Sequence, residues 1–172
     1  MPTPFESAEL NLKLFELRRD PVLREARAWF LSQFNPQTFE EFSKLAWGER
    51  NAWVRMVLGY WDMAASLVTF GAIDADMFRA AHTEVVATFA KVEPFLAEIR
   101  RVSGITEFLG HLEAVVRGMP GSAERLAMLQ KGFRTMAEAQ RATEEQAAVR
   151  PQRASARRAQ ARRRRLTRIR SI

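Results

Sequence analysis

Between Asn51 and Phe70 the chain is apolar almost all the way round a helical wheel. Arg55, Asp62, Ser66 and Thr69, spaced 7, 4 and 3 apart, share one narrow polar face, with Gly59 beside it. Trp53, Val54, Met56, Val57, Leu58, Tyr60, Trp61, Met63, Leu67, Val68 and Phe70 take most of the remaining circumference. A helix of that kind needs neighbours on most sides, so it is expected at the centre of a bundle. Burying each large apolar side chain contributes roughly 1.5–3 kcal/mol, which makes this segment the largest expected source of folding free energy. Gly71 stands where a helix stops, and Asp74 is a helix-capping residue after the short link Ala72-Ile73. Two helices joined so closely are expected to run antiparallel and touch. The returning helix carries Phe78, Ala81, Val85, Phe89 and Val92 at helical spacing. Pro94 ends or kinks it, and Phe95, Leu96 and Ile99 continue a short helix to Gly104.

The flanks follow the same rule. Thr3-Pro4-Phe5-Glu6 forms a capping box with proline at the first helical position. It predicts a helix to Arg19 with Phe5, Ala8, Leu12 and Phe15 on one face and Leu10, Leu14 and Leu17 alongside. Asp20-Pro21 starts a second helix to Gln33, Asn35-Pro36 marks a turn, and Thr38 with Glu41 caps a third that ends near Gly48. Thr106 is the expected cap of a helix with Phe108, Leu109, Leu112, Val115 and Val116. Gly118-Met119-Pro120-Gly121 breaks the chain. From Ser122 a last long helix carries Leu126, Leu129, Phe133, Met136 and Gln140. No strand-like alternation occurs. The fold class expected is all-α: a single bundle of about six to eight helices around the central antiparallel hairpin.

Part of this pattern resembles a family. The run Tyr60-Trp61-Asp62-Met63-Ala64-Ala65, then Val68 and Gly71-Ala72-Ile73-Asp74, then Phe89 through Val92-Glu93-Pro94-Phe95-Leu96, is similar to a bacterial family of small all-helical proteins whose function is unknown. The resemblance implies a helical fold with a tight turn after the aromatic helix. It brings no catalytic residues.

Charge divides the chain in two. The ten arginines from Arg150 onward stand without an acid, whereas the preceding 149 residues hold 17 basic and 20 acidic side chains, so a −3 body (17 − 20) precedes a +10 tail. The expected domains are a bundle over 1–148 and an arginine-rich tail over 149–172. The tail has too little apolar surface to fold alone and is expected to be disordered. Arg157, Arg158, Arg162, Arg163, Arg164, Arg165, Arg168 and Arg170 are the candidate nucleic-acid-binding residues, acting on phosphates by charge and counterion release without reading bases. The incidental reading is codon usage, since arginine outnumbers lysine 23 to 4. A membrane surface is the weaker partner, because aromatic anchors are missing from the tail.

Most familiar chemistries find no foothold. The absence of cysteine excludes disulfides, thiolate metal sites and cysteine nucleophiles. There is no phosphate-binding glycine loop, dinucleotide fingerprint, nucleophile elbow or paired histidine motif. His82 falls at the level of Asp62 across the hairpin, but a satisfied histidine at the core boundary is the favoured reading over a base or ligand. His111 has Glu107 one turn away as an ordinary surface neighbour. Trp47, Trp53, Trp61 and Tyr60 read first as packing and second as the lining of a pocket, and Ser66 is a formal nucleophile on the polar stripe. No catalytic residue, metal or cofactor is assigned. The function expected is a non-enzymatic helical interaction protein whose tail binds nucleic acid or another polyanion. The alternative is a protein-interaction or stress- and defence-associated bundle in which the tail is incidental. The expected location is the bacterial cytoplasm, with no signal peptide and no membrane span.

Overall fold

The computed structural model describes the backbone of residues 2–169 and the side chains of residues 2–143, Glu145 and Ala147. Every regular element among the described residues is helical. The chain divides into two compact units, Met1–Arg134 and Thr135–Ile172. The first is built from α1 (Pro4–Leu17), α2 (Pro21–Ser32), α3 (Phe39–Ala46), α4 (Asn51–Thr69), α5 (Ala75–Ala81), α6 (Glu84–Val92), a 3-10 turn (Glu93–Phe95), α7 (Leu96–Ser103), α8 (Gly110–Arg117) and the start of α9 (Ser122–Ile169). The second is the remainder of α9. Over 149–169 the backbone is helical, and Val149, Leu166 and Ile169 are the only large aliphatic residues there.

The caps read from sequence form as hydrogen bonds. The Glu6 amide donates to Thr3 Oγ1 at 3.3 Å and the Thr3 amide to Glu6 Oε2 at 2.8 Å, closing the capping box. Asp20 accepts from the Leu23 amide, Thr38 from the Glu41 amide, and Asp74 from both Asp76 and Met77. Gly71, Gly104 and Gly121 take the left-handed conformation at φ 73°, 71° and 66°, where a side chain would be strained.

Helix α4 is the core of the first unit. Val54, Val57, Leu58, Tyr60, Trp61, Ala64 and Ala65 are buried on it. Its neighbours differ from the expected hairpin, since it packs most extensively on α8 and α2 and far less on α6. The returning leg is broken at His82-Thr83 into α5 and α6. No glycine or proline marks that break. His82 and Glu84 bond to other helices instead, as described below, and continuous helix would aim them elsewhere.

Two local expectations are corrected. Helix α1 buries Ser7, Asn11 and Leu14, while Phe5, Leu12 and Phe15 stand 72%, 65% and 52% exposed. The apolar stripe faces out because the polar residues beside it have partners inside: Ser7 Oγ accepts from the Asp74 amide and Asn11 from His82. Thr106 does not cap α8, since its hydroxyl donates to the Glu107 carboxylate and the helix begins at Gly110. The cap comes from across the bundle, where the Leu112 amide donates to Asp62 Oδ1 at 2.9 Å.

Candidate functional site

The polar centre of the bundle lies between α1, α2, α4 and the α5–α6 break. His82 is buried there, with its Nε2 proton donated to Asn11 Oδ1 at 2.8 Å and its Nδ1 accepting from Arg18 Nη1 at 3.3 Å. Asn11 in turn donates to the Ser7 carbonyl. That bonding fits the neutral ring with the proton on Nε2, because a second ring proton would face the guanidinium. Burial, and then the charge of Arg18, lower the His82 pKa to about 4. Beside it Glu84 takes a bidentate bond from Arg27 and the indole N–H of Trp61 at 3.3 Å. Tyr60 donates its hydroxyl to the Leu14 carbonyl at 2.7 Å, and burial pushes its pKa up to about 12. His82 and Asp62 therefore do not meet. His82 ties α5 to α1 and Asp62 ties α4 to α8. His111 finds Thr69 Oγ1 at 2.7 Å rather than Glu107. The centre is a hydrogen-bonded network in which, among the described residues, only the buried Arg18 Nε lacks a partner, and it fixes the register of the helices that meet there.

A second feature went unread in the sequence. Lys91 is the one charged residue of α6 after Glu84, and it is buried. Its ammonium donates to the Phe34 carbonyl at 2.9 Å and to Asn35 Oδ1, and lies 4.0 Å from the centre of the Phe133 ring. No carboxylate accepts from it in those contacts, and burial lowers its pKa to about 7. It borders a small cleft of about 120 Å³ with Asn35, Gln37, Gln130 and Arg134. The available signal was a lone lysine in a helix apolar on every side.

The larger concavity, about 360 Å³, lies among α3, α4, α7 and the 105–109 segment. Phe42, Val54, Leu58, Ile99 and Leu109 wall it, and Trp47, 55% exposed, stands on its edge. From the polar stripe, Arg55 and Asp62 line it, with Gly59 between them. Asp62 is already committed to the α8 amide. Arg55 is exposed and has no ion-pair partner among the described residues. Gly59 is unusual on this wall, because a Cβ placed on it would meet nothing within 4 Å. Glycine inside a helix costs about 1 kcal/mol relative to alanine, so no packing demand accounts for it here. Leu109 is the one described non-glycine residue with positive φ, at 56°. The segment is held by Arg100, whose Nε and Nη2 donate to the Phe108 carbonyl at 3.1 and 2.9 Å. Backbone strain of that kind concentrates at sites with a task.

Of the aromatic residues read first as packing, Tyr60 and Trp61 are buried with their rings 5.0 Å apart. Trp61 is fully buried, Trp53 packs edge-on against Trp29 at 6.0 Å, and only Trp47 reaches the cleft. The family match spans α1 through α8, including the aromatic helix and the glycine-aspartate turn, at residues 4–119. The chain belongs to the family described as Domain of unknown function (DUF4760). No curated protein and no solved structure matches it. All the residues named around the larger cleft lie inside the matched span. The Lys91 cleft draws Gln130, Phe133 and Arg134 from beyond it.

The arginine-rich segment also lies beyond the matched span. Arg157, Arg158, Arg162, Arg163, Arg164, Arg165 and Arg168 fall on α9 with side chains outside the described ones, and Arg170 lies outside the described residues altogether. Among the described residues no helix is long and apolar enough to cross a membrane, and no group of three or more His, Asp or Glu could hold a metal ion.

Proposed function

We propose that the protein is a non-enzymatic helical interaction module that holds nucleic acid or another polyanion through the arginine-rich segment 149–172, without sequence specificity. The observation that carries this reading is the segregation of charge, ten uncompensated arginines behind a body of net −3. Binding of this kind is dominated by released counterions and falls steeply with salt. Engagement of six to ten phosphates costs about 10³–10⁵ in affinity between 50 and 200 mM. The proposed setting is the bacterial cytoplasm. The test compares the full chain with one stopped at Val149 on duplex DNA and structured RNA across salt. The expected result is that truncation abolishes the salt-dependent binding, whereas equal affinity of the two chains would remove the segment from the account.

One observation favours a second reading, in which the bundle itself contacts a protein. The stripe Phe5, Leu12 and Phe15 is an apolar helix face left open beside a buried polar one. Association that survives both truncation at Val149 and nuclease treatment would support it.

A further inference from the structure

We infer that the cleft between α3, α4 and α7 is a binding site for a small amphipathic carboxylate, with an apolar body among Phe42, Leu58 and Ile99 and its carboxyl group at Arg55. Three independent features converge on it. Its volume of about 360 Å³ lies within the range of ligand sites and leaves room for about a dozen water-sized atoms. Its walls are mainly apolar, with Asn51 donating to the Ala46 carbonyl and Ser103 accepting from the Ile105 amide, so a ligand without an apolar body would gain little by entering. Its polar groups are unequal. Asp62 is engaged by the Leu112 amide at the positive end of α8, which offsets its charge, while Arg55 has no ion-pair partner among the described residues. Seven residues separate the two on α4, or roughly 10 Å along the axis, so Arg55 is free to receive an anion.

Gly59 supplies the argument that apolar walls alone would not. It lies between those two residues on the cleft wall, where a side chain would have open space around its first carbon. Glycine lets a ligand approach the backbone closely, and a larger residue would stand in the ligand's place. The strained Leu109 and the clamped Phe108 carbonyl hold the opposite wall in one shape, which lowers the ordering cost of binding.

The experiment uses the full chain and isothermal titration with decanoate, whose twelve non-hydrogen atoms match the volume. Decanol and decylamine provide the same body with no charge and with the opposite one. The expected result is saturable 1:1 binding of decanoate at roughly 0.1–1 mM. Decanol should bind about fivefold more weakly, and Arg55→Gln should erase that preference while leaving decanol unchanged. Gly59→Leu should retain the fold, since no atom opposes its Cβ, and abolish binding of both. Circular dichroism and thermal melting confirm that the variant is folded. Because Gly59→Leu keeps the arginine segment intact, any attraction of decanoate to that segment persists in it and is subtracted. No saturable binding by the native chain, or undiminished binding by folded Gly59→Leu, would overturn the site. Equal affinity for decanoate, decanol and decylamine would overturn the assignment of its ligand as a carboxylate.

Discussion

Helices α4 and α1 were both legible as helices, yet the structure uses them in opposite ways. On α4 the apolar positions cover nearly the whole circumference, so every orientation buries most of them, and Trp61 ends fully enclosed. On α1 the apolar and polar positions compete for the interior, and the polar ones win. Ser7 and Asn11 go inside with Leu14, while Phe5, Leu12 and Phe15 stay in solvent. Exposing those three side chains forgoes a few kcal/mol of transfer free energy. Turning the helix to bury them would strand the Nε2 proton of His82 and the Asp74 amide without acceptors, at about 1–3 kcal/mol each, and would lose the contact of Leu14 as well. The terms are comparable, and the arrangement in which Ser7, Asn11 and His82 have partners prevails. Binary patterning predicts orientation where the pattern is lopsided and fails where a polar residue has a specific buried partner.

The comparison can be broken or sharpened by measurement. The largest effect belongs to α4. Trp61→Ala opens a cavity in the core and removes an indole donor from Glu84, so urea unfolding should show a loss of about 3–5 kcal/mol. A loss below 1 kcal/mol would mean that α4 is not the centre of the fold.

Next comes the polar interior that α1 shares with α5. The folded pKa of His82, about 4, lies below its ordinary value of 6.5. Between those values the unfolded chain takes up a proton that the folded chain refuses, so stability falls as pH drops from about 6.5 to about 4 and the loss is complete below that. The whole effect is at most roughly 3 kcal/mol. It should be visible as a sloping urea midpoint across that window, and His82→Gln should flatten that slope. A midpoint in the native chain that does not move between pH 6.5 and 4 would mean that His82 is open to protonation in the fold.

The smallest effect belongs to the outward stripe of α1. Phe5→Ser and Leu12→Ser should each shift stability by no more than about 1 kcal/mol, because both side chains are largely exposed. A loss above 2 kcal/mol in either would show the stripe to be covered in solution.

Helix existence, capping and the breaks at glycine and proline were legible because they depend on residues close in sequence. Thr3 with Glu6, Asp20, Thr38, Asp74, Gly71 and the Gly118–Gly121 break all behave as read. The interruption at His82-Thr83 was not legible. Neither residue stops a helix by itself, and the break is stabilised by Asn11, Arg18 and Arg27, far away in the chain. The α8 cap was misread for the same reason, since Thr106 is the local choice and Asp62 the actual acceptor. Of the larger cleft, its residues were visible and their convergence was not. Arg55 and Asp62 share the polar stripe and Trp47 is a candidate pocket-lining aromatic, but Ile99 and Leu109 come from elements whose placement no local pattern fixes.

The amino-acid order alone determined that this chain is helical, where most of its helices start and stop, that α4 is central, and that its positive charge is gathered from Arg150 onward. Those properties follow from backbone preferences, wheel periodicity and composition, which act over a few residues or none. Tertiary structure decided which face of α1 turns inward, which helices flank α4, and how the cleft beside Gly59 is enclosed. These depend on hydrogen-bond partners and surfaces brought together across the chain, so their free energies exist only once the helices have packed.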